Sequence, residues 1–135
     1  MKSIAWTDEL LVGHDVIDRD HRRIVDSITV LCESLETGTP NERAVGQLGT
    51  VIDLISAHYE HEEHLMRAIR FPGVDGHIVA HGRFFSDLTR LFYRLEQGES
   101  GAVRGVLACL YEWAFDHVLL YDKGVARYLA ETQAA

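Results

Sequence analysis

Apolar residues recur at intervals of three and four along four long stretches of the chain. In the first stretch Ile24, Ile28 and Leu31 follow this interval, which places them on one side of an α-helix. Short segments that contain Gly or Pro separate the stretches and are typical of turns. The pattern predicts an N-terminal arm over residues 1–17 and helices over about residues 18–36, 40–70, 75–97 and 102–132.

Four amphipathic helices joined by short connections predict an all-α fold. Each helix must cover its apolar side with a neighbour, and short loops make consecutive helices antiparallel. We therefore expect an up-down-up-down four-helix bundle, with Leu65 of the second helix and Val103 of the last helix in its core. The chain length of 135 residues is that of a single domain, which would span residues 1–135.

Polar residues interrupt the apolar rows at similar levels of the expected bundle. They are His21, His58, Glu62, His77, His81 and His117. Two pairs in this set stand four residues apart, so the members of each pair share a helix face. Buried imidazoles and carboxylates lower stability unless they are paired or bound to a metal. These rows are therefore candidates for a metal site inside the bundle.

Each residue of this set also has an ordinary interpretation. A single histidine can be a hydrogen-bonded core residue, and each pair can lie on a solvated helix surface. Four helices that each direct polar groups inward at one level are harder to obtain by chance. With Asp122 of the last helix the set has five histidines and two carboxylates, which suits two ions bridged by the acids. Imidazole binds iron, copper, nickel and zinc, so the ligand type alone does not name the metal.

The charge balance narrows the classes of partner. Thirteen Lys and Arg against 21 Asp and Glu give a formal charge of −8, which repels phosphate backbones and anionic lipids. We expect neither nucleic acid nor membrane as a partner. Cys32 and Cys109 lack the spacing of a zinc knuckle or redox pair and predict reduced, packed thiols. Together with the absence of a secretory signal pattern, this favours a cytoplasmic location.

Several motifs, taken together, resemble the hemerythrins, in particular the bacterial single-domain type. They are Ile17-Asp18-x-Asp20-His21, His58-x-x-x-Glu62-Glu63-x-x-Met66, Phe71-Pro72, His77-x-x-x-His81 and Trp113-x-x-x-His117-x-x-x-x-Asp122-Lys123. The resemblance extends over nearly the whole chain, and all seven ligand positions of the family are filled in order. It implies a non-haem diiron protein that binds dioxygen reversibly and is not an enzyme.

The resemblance also implies a role for each ligand. The first iron would be held by His77, His81 and His117, and the second iron, with an open position, by His21 and His58. Glu62 and Asp122 would bridge the two irons together with an oxygen atom derived from solvent. Trp113 and Ala114 are candidates to line the oxygen pocket.

The chain departs from the usual family pattern at three positions. His14 stands where the family commonly has an aliphatic residue, and we do not expect it to be a ligand. Tyr59 replaces a common Phe and adds a hydroxyl that needs a partner if it is buried. Ala114 replaces a frequent Leu, and we expect the smaller side chain to enlarge the oxygen pocket.

Two further features concern the flanks of the site. His61 and His64 turn progressively away from the row of His58 and Glu62, so we expect both at the solvated surface. The step from His117 to Asp122 is five residues and misses a straight helix face. A local widening of the helix, as in a π-bulge, would correct it.

Three other functions could use the same residues. A diiron oxidase or peroxidase on a ferritin-like bundle would have carboxylate-rich ExxH motifs, which the inward rows lack. An iron or oxygen sensor would act through a protein partner that the sequence does not indicate. A zinc-binding structural bundle disagrees with the long apolar rows, since this core should fold without metal. Storage, delivery, scavenging and sensing would share one site, so the sequence predicts a binding event rather than a physiological role.

Overall fold

A computed structural model describes residues 4–37 and 41–134 of the chain. Its helices are α1 (Asp15–Glu36), α2 (Asn41–Ala68), α3 (Val74–Glu96), α4 (Ala102–Glu112), a π-helical segment (Trp113–Asp122) and α5 (Lys123–Ala134). The last three follow one another without a break and form the fourth helix of the bundle. A short 3-10 turn covers Asp8–Leu10 in the arm, and no strand occurs in the two described ranges. The predicted helix start at residue 40 lies outside them.

The helices pack as neighbours in chain order. α1 contacts α2, α2 contacts α3, and α3 contacts α4, while α1 also contacts α4 and closes the ring. The 3-10 turn of the arm packs against the π segment. The predicted all-α four-helix bundle with an N-terminal arm is confirmed.

The core consists mainly of the predicted apolar rows, with two corrections. Val103 is 40% exposed, because the inward row of the last helix runs in steps of four from the buried Ala102 and leaves Val103 to one side. Near the C-terminal end of α2, Met66 is fully buried and the predicted core residue Leu65 is half-buried. The inward position that follows Glu62 is therefore Met66, four residues on, and not Leu65, three residues on.

α1 begins at Asp15, earlier than predicted, because His14 caps it. The backbone of His14 is extended, and its side chain Nδ1 accepts a hydrogen bond from the N–H of Ile17 at 3.4 Å. The carboxylate of Asp18 accepts hydrogen bonds from the N–H of Val12 at 2.7 Å and of Gly13 at 3.2 Å. These contacts attach the arm to the first turn of α1 and give His14 a structural role.

The two cysteines are free thiols within the bundle. Cys32 is half-buried and Cys109 is buried, and burial raises the pKa of the Cys109 thiol to about 12. Cys109 is therefore protonated and unreactive at neutral pH. Among residues 4–37 and 41–134, no helix is both long enough and apolar enough to cross a membrane.

The packing of α1 predicts a large loss of stability on replacing Ile28 by Ala. Ile28 is fully buried, so Ile28→Ala should lower the free energy of unfolding by about 2–5 kcal/mol through lost burial and a residual cavity. Val30 is 50% exposed on the same helix, and Val30→Ala should change it by about 0.5 kcal/mol or less. Urea unfolding followed by circular dichroism measures both variants. Equal losses would contradict the assignment of the core face.

Candidate metal centre

Buried polar side chains gather in the interior of the bundle. They form two overlapping groups, in each of which every residue offers one ligand atom, and these atoms lie within 4.8 Å of one another. The first group is Glu62, His77, His81, His117 and Asp122, and the second is His21, His58, Glu62 and Asp122. The structure thus brings together all seven predicted ligand positions, and Glu62 and Asp122 belong to both groups.

Each of the four helices contributes to this cluster. His21 comes from α1, His58 and Glu62 from α2, His77 and His81 from α3, and His117 and Asp122 from the π segment. In α2 and α3 the spacing of four places the pair on successive turns of one face. All seven side chains are buried, and His117, at 7%, is the most exposed. Bulk water is therefore largely excluded from the cluster.

The π segment brings His117 and Asp122 to the same side of the fourth helix. Residues five apart in an α-helix point about 140° away from each other. A π-helix has hydrogen bonds between residues five apart, and at its end the N–H of Lys123 donates to the carbonyl of Val118. Nε2 of His117 and Oδ1 of Asp122 are 3.3 Å apart as a result. The local widening considered from the sequence is present and extends over Trp113–Asp122.

The imidazoles are directed at the two carboxylates. Asp122 lies 2.8 Å from Nε2 of His21 through Oδ2 and 3.0 Å from Nε2 of His77 through Oδ1. Glu62 Oε1 lies 3.2 Å from Nε2 of His81, and Glu62 Oε2 lies 3.4 Å from Nε2 of His58. Each carboxylate therefore has histidines from both groups around it.

Several atoms of the cluster indicate that a cation fits there. Nε2 of His117 and Oε2 of Glu62 are buried, and in the described part of the chain neither makes a hydrogen bond of acceptable geometry. Nε2 of His21 and Nε2 of His58 are only 3.2 Å apart. Buried polar atoms without a hydrogen bond, such as Nε2 of His117 and Oε2 of Glu62, lower stability unless a partner is supplied. A metal ion with imidazole and carboxylate ligands would supply one, and iron and zinc both accept such ligands.

Comparison with known proteins agrees with this geometry. The family model of the hemerythrin HHE cation binding domain matches residues 12–129. The chain belongs to the hemerythrin family. This confirms the resemblance inferred from the motifs. The bacteriohemerythrin of Stenotrophomonas maltophilia (strain R551-3) is 30% identical over 129 residues, which cover 93% of this chain and 81% of the relative.

Two further relatives have the same name and comparable coverage. The bacteriohemerythrin of Pseudomonas paraeruginosa is 27% identical over 92% of this chain and 80% of its own length. That of Ralstonia nicotianae is 23% identical over 97% of this chain and 92% of its own length. The similarity therefore covers the arm, all four helices and the cluster of buried polar side chains.

Both carboxylates of this hemerythrin centre are ionised. Burial raises the pKa of Asp122, but close contacts with imidazoles, foremost His117 and His21, outweigh it and hold the pKa well below its usual range. Burial and the charge of Asp122 raise the pKa of Glu62, but close contacts with the imidazoles of His58, His77 and His81 outweigh them and lower it. The two carboxylates thus place negative charge in a dry interior, where protonated imidazoles or a metal cation can compensate it.

A further buried carboxylate supports the centre from behind. Asp20 is 8% exposed, and its Oδ2 accepts hydrogen bonds from Nδ1 of His58 at 3.2 Å and Nδ1 of His61 at 2.8 Å. Burial raises the pKa of Asp20, but these hydrogen bonds outweigh it, so the pKa is lowered and Asp20 is charged. Histidines that bind metals commonly donate their outer N–H to such a carboxylate. Asp20 was not among the predicted site residues, although its place beside His21 in the sequence was a signal.

Two histidines beside the cluster lie at the surface, whereas the aromatic residues Tyr59 and Trp113 next to it are buried. His61 and His64 are exposed as predicted, but His61 also makes a hydrogen bond to Asp20.

Trp113 and Ala114 are fully buried, and the ring centre of Trp113 is 5.7 Å from that of His21. The ring of Tyr59 stacks on His81 with centres 3.7 Å apart. Burial raises the pKa of Tyr59, and its hydroxyl makes no hydrogen bond within the described residues.

The charges in the cluster predict that the stability of the metal-free protein depends on pH. Burial lowers the pKa of His77, but hydrogen bonds to Asp122 and Glu62 outweigh it and raise the pKa from 6.5 to about 9. A raised pKa means that protonated His77 stabilises the fold fully below pH 6.5 and that this contribution is lost as pH rises through about 9. The free energy of unfolding of the metal-free protein should therefore fall between these pH values.

Urea unfolding of the chelator-treated protein at pH 6.5 and pH 9 tests this dependence. The metal-loaded protein is the control, because its histidines have already lost the proton to bind metal and should give a smaller change. A metal-free protein equally stable at both pH values would contradict the charge pairing described here.

Proposed function

We propose that this hemerythrin-family chain holds two iron ions and binds dioxygen reversibly at them. The observation that supports it most is the pair of overlapping ligand groups that share Glu62 and Asp122. A single ion would use only one group, whereas two ions would use both groups, with Glu62 and Asp122 available to both. The name bacteriohemerythrin carried by the relatives points in the same direction.

The division of ligands follows from the two groups. In addition to the shared carboxylates, the first iron is assigned three imidazoles and the second iron two. The first set is His77, His81 and His117, and the second is His21 and His58. The second iron would therefore have one protein ligand fewer, which would leave room for dioxygen to bind.

The chain's own contribution is to fix the ligands and to exclude water. His21 and His58 have no exposed surface, and Trp113, also fully buried, stands edge-on to both rings. Asp20 holds the ring of His58 from behind. When bound, the iron pair supplies two electrons to dioxygen and recovers them on release. A dry, rigid surround limits side reactions during that cycle.

The donor set favours binding over turnover. Five imidazoles and two carboxylates give the centre less negative charge than the Glu-rich sites of ferritin-like diiron proteins. We therefore propose a carrier, store, delivery protein or sensor of oxygen in preference to an oxidase or peroxidase. Sustained consumption of hydrogen peroxide with an added reductant would reverse this preference.

A spectroscopic titration tests the proposed function. The iron-loaded protein is reduced without air, exposed to air and then degassed, while its visible absorption and oxygen uptake are recorded. We expect two irons and about one dioxygen per chain, with a spectral change that reverses on degassing. One zinc per chain, or an irreversible change on first contact with air, would contradict the proposal.

Two variants make the titration specific to the centre. His77→Ala should lose at least one iron and the oxygen uptake, because it removes a ligand of the first group. His14→Asn is the matched control, since it removes a histidine outside the centre and keeps a side chain that can cap α1.

Ala114 allows a test of the oxygen pocket. If Ala114 lines the pocket, Ala114→Leu adds about three heavy atoms to a densely packed region and slows the entry of water and small anions. We expect slower azide entry and slower loss of the capacity to rebind oxygen in air. Ala108→Leu, at an exposed position of α4, is the control. Unchanged rates in a folded, fully metallated Ala114→Leu protein would mean that Ala114 only relieves crowding between helices.

A further inference from the structure

Three histidines outside the proposed diiron centre line a single cavity. It has a volume of about 330 Å³ and lies between the first turn of α1 and the C-terminal half of α2. Its polar residues are His14, Glu60, His61 and His64, and its walls include Val16 and Leu65. The proposed oxygen chemistry uses none of these side chains.

Three of the polar residues lie on one side of α2. Glu60 and His64 are four residues apart, and His61 and His64 are three apart. At about 100° per residue, the three side chains fall within a sector of about 100°, with His64 between the other two. The ligand atoms of these three side chains are not gathered within 4.8 Å of one another in the structure, so one ion at the surface of α2 would be reached by all three after Glu60 and His64 turn toward it.

His61 is held in the orientation that a metal ligand needs. Its Nδ1 donates to Oδ2 of Asp20 at 2.8 Å, which fixes the neutral tautomer and leaves Nε2 with a free lone pair. The side chain is 50% exposed, so Nε2 is accessible from solvent. Because Asp20 also accepts from His58, one carboxylate separates His61 from a proposed ligand of the buried centre.

The other two side chains are free to turn toward the same point. Glu60 and His64 are exposed, and the side chain of neither has a hydrogen bond or ion pair within residues 4–37 and 41–134. His14 differs, because its Nδ1 accepts the N–H of Ile17 and the proton of the neutral ring is then on Nε2. His14 lines the cavity without offering a lone pair to an ion.

We propose that Glu60, His61 and His64 form a second, surface metal site that binds one divalent transition ion such as Zn²⁺ or Ni²⁺. Two imidazoles and one carboxylate prefer ions of this kind over Mg²⁺ or Ca²⁺, which favour oxygen ligands. The formal charge of −8 raises the concentration of cations near the surface. None of its three ligands is among the candidate ligands of the buried centre.

Calorimetric titration of Ni²⁺ into the protein with its buried centre loaded tests the site. The metal content of the buried centre is determined before and after, so that exchange there is recognised separately. We expect one additional Ni²⁺ per chain and no binding of Mg²⁺. Loss of a ligand should weaken binding at least as much as loss of a ligand's hydrogen-bond partner, so His64→Gln and Glu60→Gln should each lower the affinity by roughly tenfold or more.

Two control variants fix the assignment of ligands. His14→Asn removes the third histidine of the cavity but keeps a cap for α1, and Arg67→Gln changes an exposed residue one turn further along α2. Both should bind Ni²⁺ like the original protein. Absence of the additional Ni²⁺, an unchanged affinity in His64→Gln, or loss of binding in His14→Asn alone would each overturn the proposal.

Discussion

The stability of this bundle depends on how two buried, ionised carboxylates are compensated. Glu62 and Asp122 are each 1% exposed, and charges in such a place lower stability unless opposite charges surround them. Five imidazoles on four helices are directed at these two groups. Without metal the histidines must supply the compensation, and a pair of cations would supply it more fully. The cluster of candidate metal ligands is therefore also the polar core of the fold.

The rest of the structure holds these groups in place. Apolar residues on α1 and α2, such as Ile28 and Ile55, form a core that continues to Tyr59 and Trp113, whose rings contact histidines of the cluster. The π segment corrects the direction of Asp122 relative to His117, so one helix supplies both an imidazole and a carboxylate to the cluster. Asp20 then fixes the ring of His58 and extends the polar network to His61 at the surface.

Spacings of four made most of the site predictable from the sequence, because an α-helix places such residues on one face. This applies to His58 with Glu62 and to His77 with His81. The step from His117 to Asp122 could only raise the question of a π-bulge, since periodicity does not show whether a helix widens. The capping role of His14 and the bond between Asp20 and His61 depend on local backbone geometry and on contacts between helices. Neither is encoded in the pattern of a single helix.

The central claim is that Glu62 and Asp122 lie between two irons. The most direct measurement is anomalous X-ray diffraction at the iron absorption edge from crystals of the iron-loaded protein. The account predicts two peaks per chain about 3.5–4 Å apart, with both carboxylates between them. One peak should adjoin His77, His81 and His117, and the other His21 and His58. A single peak, or two peaks of which one lies away from both carboxylates, would contradict the account.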